Sequence, residues 1–315
     1  MIIKREKNYE LIEDFLNNNF SSPTHWPDWN LIVSKFFSTD FFYFTAYENH
    51  ELIGICPVHK KQKGMLRNLH SGQFHYIPNG GWIFNKKVKF NINDLPLKYN
   101  EAYLSFSLPL LEGFNADYNI ANKQENALTL VINLKNDFND IWMMDIDGKR
   151  RNMIRKAEKN NIGVINITKN NLNEFYTLYD SANKRYNIKS LPIDFFKELA
   201  DNVKNIKFDI LLSKHNDRIL SGVLIIYDKN YSIYLLGFSR DNVPNLGQGE
   251  LLQWAAINRM KDYGCKYYDL CYIEKERLPH IYEFKKGFSK EETKIKVLNK
   301  RPVTYKIINR LNKIF

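Results

Sequence analysis

Apolar residues recur at helical spacing over Tyr9–Phe20, where Leu11, Ile12, Phe15 and Leu16 share one face. A second helix is expected after the Pro-bounded stretch His25–Trp29. The period then shortens to that of strands. FFYFTAYE (41–48) and ELIGICPV (51–58), joined by Asn49-His50, read as a hairpin. The second half repeats this order more clearly. One helix is expected over Asn171–Tyr186 and another after Pro192, a residue suited to the first helical turn. Three strands follow, KFDILLSK (207–214), RILSGVLIIYD (218–228) and YSIYLLGFS (231–239). Asn216-Asp217 and Lys229-Asn230 are short enough to make them a meander. A helix over Gly249–Tyr263 buries Leu251, Leu252, Ala255, Ile257 and Met260 and stops at Gly264. The strand KYYDL (266–270) comes next. Helix–helix–meander–helix–strand is an α/β layout with a largely antiparallel sheet. Its looser first copy points to an internal duplication, with a helix near Lys149–Asn160 joining the halves.

The length of 315 residues suits two domains of this kind. Apolar residues make up 44% and charged residues 26%, as in ordinary folded chains. No apolar run approaches the roughly 20 residues of a membrane helix. The start, MIIKREKNYELIEDF, lacks the apolar core of a secretory signal, so a cytoplasmic protein is expected. Cys56, Cys265 and Cys271 form no CxxC pair. The seven histidines include no HExxH, and His70 and His75 are five apart, so no metal site is expected. GxSxG and GxxxxGK[ST] motifs are absent, which argues against serine-hydrolase and P-loop chemistry.

Charge changes the picture more. Residues 1–140 hold 14 basic and 15 acidic side chains, whereas residues 141–315 hold 32 and 20, net +12. An anionic partner of the second half is implied. Four segments can carry it. In GKRRNMIRKAEKNN (148–161), Arg151, Arg155 and Lys159 form a helical ridge, either a phosphate contact or a solvated face. In PNLGQGELLQW (244–254), Gly247 and Gly249 precede a helix N-terminus, where a pyrophosphate can approach, unless they only make the turn. In IYEFKKGFSK (281–290), Lys285 and Lys286 on a strand would point oppositely among Tyr282, Phe284 and Phe288. One is then a partly buried oxyanion stabiliser, or both are surface lysines guarding an edge. The tail 282–315 has ten bases against three acids. Its amphipathic end, VTYKIINRLNKIF, lies on a membrane or on its own domain.

Four runs occur together and in order: RRNMIRKAEKNNIGV (150–164), YLLGFS (234–239), LLQWAAINRMKDYGCKYYDL (251–270) and IYEFKKGF (281–288). In this the chain resembles the FemABX family of peptidoglycan-bridge aminoacyltransferases and the related FemAB-like N-acyltransferases. The likeness covers about 149–290 strongly. Earlier it is thinner, at HWPDW, ELIGICPV and YIPNGGW.

The resemblance implies two tandem GNAT-like domains, placed at 1–146 (acceptor-shaping) and 147–315 (donor binding and catalysis). It implies acyl or aminoacyl transfer to an amine on a nucleotide-linked amino sugar or a lipid-linked or peptidoglycan stem-peptide precursor. Lys285, after Phe284, would stabilise the tetrahedral oxyanion. Arg185 and Tyr234 would contact the nucleotide diphosphate of the acceptor, Tyr282 and Phe284 would line the reaction channel, and Lys35 would be a first-domain counterpart. Gly247, Gln248 and Gly249 would hold an acyl-CoA pyrophosphate. Aminoacyl-tRNA is the alternative donor. The chain departs from the family at three points: no heptad arms, Ser289 after the last Phe, and Pro244 in the pyrophosphate-loop pattern. A capsule or secondary-metabolite acyltransferase, and a non-catalytic RNA- or anion-binding module on this scaffold, are the other readings. Peripheral contact with an anionic membrane face through the basic tail is also open.

Overall fold

The structure, a computed structural model, describes residues 1–73, 76–107, 116–119, 127–167, 172–272, 275–276 and 278–311. It divides into two compact units, Met1–Leu128 with Thr293–Phe315, and Thr129–Glu292.

The first unit begins with strand β1 (Ile2–Glu6) and helix α1 (Tyr9–Asn18). The Asn8 side chain caps α1 by accepting from the Leu11 amide at 3.3 Å, and Ile12, Phe15 and Leu16 are its buried face. Helix α2 (Pro27–Phe37) starts inside the Pro-bounded stretch, because Pro27 fits a first turn whose amides lack intrahelical acceptors. Strands β2 (Asp40–Glu48) and β3 (Glu51–Lys63) form the expected hairpin. Asn49 and His50 have φ of 48° and 68°, the left-handed pair that a two-residue hairpin turn demands. Then come β4 (Leu66–Ser71), β5 (Ile83–Phe84), β6 (Val88–Asn91), β7 (Glu101–Ser107) and β8 (Ala116–Asn119). The core stacks Phe44, Trp82, Phe84 and Phe90 against Tyr103.

The same unit buries a polar network. His25 Nδ1 meets Ser22 Oγ at 3.0 Å, its Nε2 meets the Gly81 carbonyl at 3.3 Å, and Asn30 Oδ1 meets His59 Nε2 at 2.9 Å. Burial lowers the His25 pKa to about 3. Below the ordinary value of 6.5 the unfolded chain takes up a proton that the folded unit refuses. Stability is therefore complete above pH 6.5 and falls by about 1.4 kcal/mol per pH unit on the way to pH 3. Urea unfolding at pH 7 and pH 5 checks this, and an equal midpoint in wild type and His25→Gln at both pH values would refute it.

The second unit contains β9 (Ala127–Asn133), the turn α3 (Phe138–Asp140), α4 (Gly148–Lys159), β10 (Gly163–Ile167), α5 (Leu172–Arg185) and α6 (Ile193–Asn202). Strands β11 (Lys207–His215), β12 (Arg218–Tyr227) and β13 (Tyr231–Ser239) form the predicted meander. Asn216 and Asp217 repeat the left-handed pair at φ 46° and 62°. Helix α7 (Gln248–Tyr263), β14 (Tyr267–Asp269) and α8 (Pro279–Lys286) complete it. Phe175, Tyr179, Phe196 and Phe238 knit α5 and α6 to β13. The chain returns to the first unit through β15 (Glu292–Lys300) and α9 (Val303–Leu311). Residues 312–315, the end of the expected tail helix, lie outside the described residues.

The two sheets repeat one topology, as the expected duplication requires. The first runs β1-β2-β3-β4-β7-β15 and the second β10-β11-β12-β13-β14-β9. In each, an antiparallel meander is followed by a single parallel neighbour, β7 on β4 and β14 on β13. The units part at 128/129, whereas the sequence reading had placed the boundary at 146/147. Strand pairing is the reason. Strand β9 pairs with β14 and so joins the second unit, whereas β15 pairs with β7 and brings residues 293–315 into the first.

Candidate active site

The site is built where β13 loses a neighbour. Antiparallel pairing with β12 runs from Ser232 to Ser239. Parallel pairing with β14 covers only Tyr231–Ile233 against Tyr267–Asp269. Two residues beyond β14 the chain turns at Cys271, whose φ is 71°, so the two strands part from Tyr234 onward. The register between β12 and β13 shifts at the same place: Leu224 faces Leu236 and Ile225 faces Tyr234, leaving Leu235 as the extra residue. Such a bulge bends a strand and re-aims its side chains, and Tyr234, Leu235 and Leu236 are indeed half-exposed.

Lys285 reaches this apex from α8. The expectation of an edge strand here is overturned. Pro279 starts a helix, and the Gly287 and Phe288 amides close it on the Glu283 and Lys285 carbonyls. At helical spacing, Tyr282 and Lys285 turn inward together, whereas Glu283 is exposed and Lys286 partly so. Lys285 is 8% exposed, and its Nζ lies 5.6 Å from the centre of the Tyr234 ring. Among the described residues its ammonium has no hydrogen-bond acceptor and no ion-pair partner. Burial lowers its pKa, and Cys271 and Asp269 partly offset this. The Asp269 oxygens are already engaged by the Tyr231 hydroxyl (3.0 Å), the Cys271 amide (2.8 Å) and the Thr129 hydroxyl. Burial raises the pKa of Asp269, and pushes those of Tyr234 and Cys271 up to about 12. Tyr234 and Cys271 are therefore neutral donors at pH 7.

A second group holds α8 in place. Arg150 Nη1 donates to Glu250 Oε1 at 2.8 Å, and Nη2 donates to the Glu283 carbonyl at 3.0 Å. The guanidinium lies 4.8 Å from the centre of the Phe284 ring. A side chain at Gly287 would lie 2.6 Å from Arg150 Cγ and 2.9 Å from Asp147 Oδ2, so both would have to shift to admit one. Ser289, a departure from the family pattern, is buried and donates to the Val131 carbonyl at 3.0 Å.

The Gly247–Gln248–Gly249 loop is braced from within, while the start of α7 has no side-chain cap. The Leu246 amide donates to Gln248 Oε1 at 2.8 Å, and the Gly247 amide donates to Asn245 Oδ1 at 3.1 Å. The buried Glu250 carboxylate occupies the first turn of α7, where it meets the positive end of the helix dipole. Gly247 has φ 87°, and an added Cβ would lie 2.0 Å from the Met153 carbonyl oxygen. Its glycine therefore serves the close approach of α4. Gly249 differs, since an added Cβ would meet only Phe284 at 3.8 Å. Gly247→Ala is expected to cost about 2 kcal/mol or more. Gly249→Ala should be neutral or stabilising by up to about 1 kcal/mol. Paired urea melts check this. If Gly249→Ala keeps its stability but loses donor binding, a ligand needs that space.

Other expected residues fall elsewhere. Arg185 ends α5, pairs with Asp241 at 3.1 Å and donates to the Ser239 carbonyl at 2.7 Å, at the far end of β13 from Tyr231. Tyr282 is buried, bonded through its hydroxyl to Glu292, with Lys275 over its ring at 4.5 Å. Lys35 is exposed on α2 in the first unit. The Arg151–Lys159 ridge is partly structural, because Arg151 donates to the Trp142 carbonyl at 3.1 Å and Arg155 lies over the Trp142 ring. A cleft of about 420 Å³ lined by Tyr227, Asn258, Arg259 and Tyr263 shares no residue with the Lys285 group. Sequence reasoning missed Arg150, Asp269 and Cys271. The first two stood inside the quoted runs, but nothing local distinguishes them from their neighbours. Among the described residues, no group of three His, Cys, Asp or Glu side chains is arranged to hold a metal.

Two α/β units of one topology, the second opened beside a buried lysine, define a tandem GNAT-like fold. Residues 110–216 match the model of the FemAB family. FemX, in its crystal structure, superposes with a TM-score of 0.69 over 99% of both chains at 12% identity. L-PGS from Bacillus licheniformis gives 0.53 at 14% identity over 96% of both. A tandem GNAT protein from the clavulanic acid biosynthesis pathway gives 0.50 at 5% identity, over 94% of this chain and 98% of that one. No curated protein matches in sequence. Residues 110–216 are thus similar to the FemAB family, and the solved structures share the fold.

Proposed function

We propose that the protein transfers an acyl or aminoacyl group from an activated ester or thioester to an amine on a cell-envelope precursor, either a nucleotide-linked amino sugar or a peptidoglycan stem peptide. The observation that carries this reading is Lys285, a buried lysine whose ammonium has no acceptor among the described residues, at the parting of β13 and β14. A carbonyl placed in that opening would receive the amine on one face. As the tetrahedral intermediate forms, its oxygen becomes negative, and the Lys285 ammonium supplies the missing pairing. The intermediate collapses with expulsion of the tRNA hydroxyl or the CoA thiol, and the amine proton leaves to that group or to water. Tyr234 and Phe284 line the channel in this reading. The donor in this reading is acyl-CoA, with its pyrophosphate at the uncapped start of α7 beside Gly249, or aminoacyl-tRNA.

Labelled aminoacyl-tRNA and acyl-CoA, each offered with both acceptor classes, test the proposal by mass spectrometry of the amide product. Amide product from one of the two donors is expected. Binding of either donor without any amide formation would favour the non-catalytic module instead.

A further inference from the structure

Four exposed apolar side chains lie on three adjoining segments of the first unit. Met65 lies in the β3–β4 turn, Tyr99 precedes β7, and Val303 and Ile307 are one turn apart on α9. Short contacts join the three segments. Asn100 Nδ2 donates to the Met65 carbonyl at 2.7 Å, the Arg67 amide donates to the Asn100 carbonyl at 3.0 Å, and Thr304 Oγ1 donates to the Tyr99 carbonyl. Tyr305 bonds through its hydroxyl to Asn68 at 2.6 Å. Helix α9 packs on its own domain with one face and leaves the other exposed. Tyr305 and Ile308 pack inward on Leu66 and Ala102, while Val303 and Ile307 face outward.

The exposure is unusual for this molecule. Among the described residues four large apolar side chains are more than 65% exposed, and three of them sit here: Met65 at 66%, Tyr99 at 69% and Val303 at 71%. The charge around them has one sign. Segments 61–67, 98–101 and 301–306 contain six Lys and Arg and a single acid, Glu101. Glu101 is buried and paired with Arg5. Lys63, Lys98, Arg301 and Lys306 are exposed beside the apolar group. An apolar patch rimmed by cations matches a surface of anionic headgroups over acyl chains, with Tyr99 suited to the interfacial layer.

We propose that this face docks the protein on an anionic lipid bilayer. The contact is a composite of three segments held together by tertiary hydrogen bonds, with α9 as one part of it. Acyl transfer is not needed for the docking, and each is read separately.

Vesicle co-sedimentation of the full chain tests it, with no donor or acceptor present. Phosphatidylglycerol–phosphatidylcholine vesicles should bind the protein at low salt, and phosphatidylcholine alone should not. Lys63→Gln with Lys306→Gln should lower partitioning about 30-fold. Val303→Asp with Ile307→Asp should lower it at least about 100-fold. Unchanged melting temperatures would show that the variants fold. Absent binding of the wild type, or binding indifferent to lipid charge and to both variants, overturns the proposal. So does light scattering that shows a dimer which Val303→Asp with Ile307→Asp dissolves, because a second copy then covers the face. Failure here leaves the acyl-transfer reading standing, because that is scored on product.

Discussion

Lys285→Met should lower amide formation by about 10²–10³-fold while acceptor binding stays within about twofold of wild type. The loss belongs to the transition state, since the ground-state carbonyl carries little charge for the ammonium to pair. Stability should move the other way. Burial lowers the Lys285 pKa, so between that value and 10.5 the unfolded chain binds more protons than the folded one. Stability from this group therefore rises with pH across that window, and at neutral pH the buried charge is a cost. Methionine removes it, and the variant should be as stable as wild type or more so, by on the order of 1 kcal/mol. Turnover needs the protonated amine, so the alkaline limb of the wild-type pH profile should fall below pH 10.5. A Lys285→Met enzyme with wild-type turnover would end the catalytic assignment. Lost turnover with lost folding would make the lysine structural.

Arg150→Ala should be among the most destabilising single changes in the second unit. Arg150 and Glu250 are 11% and 7% exposed, and alanine leaves the carboxylate buried beside the α7 terminus without its cation. About 3 kcal/mol is expected, or roughly 6–12 °C in Tm. The same side chain holds the Glu283 carbonyl and the Phe284 face, so α8 should shift and carry Lys285 with it. A displacement near 1 Å is worth about 100-fold in rate. Arg150→Lys restores the charge but not the fork, and should recover most stability and less of the turnover. Combining Arg150→Met with Glu250→Gln should cost less than the sum of the single changes, as a coupled pair requires. Additive effects in that cycle would show that the pair does not act as a unit.

Much of the fold was legible because its signals are local. The left-handed pairs Asn49-His50 and Asn216-Asp217 name their hairpins. Leu11, Ile12, Phe15 and Leu16 declare a helical face, and Gly264 its counterpart's stop. The Lys285 segment misled because KKGFSK flanked by aromatics suits a short strand and a short helix equally. The helix wins through tertiary contacts, with Arg150 on the Glu283 carbonyl and Ser289 on Val131. The glycine loop misled in another way. Gly247 looked like a phosphate cradle, but its missing side chain makes room for the Met153 carbonyl of α4.

The sequence by itself determined the two helix pairs, the first hairpin, the meander with the helix and strand after it, the duplication and the basic second half. Periodicity and turn chemistry act between residues a few positions apart, so they survive without the fold. The tertiary structure alone decided where the units divide, where β13 and β14 part, and that Lys285 is buried with no acceptor among the described residues. Those outcomes depend on pairs such as Arg150–Glu250, 100 residues apart, and Thr129–Asp269, 140 apart. Burial of a charge is set by what the rest of the chain brings around it, and no local pattern encodes that.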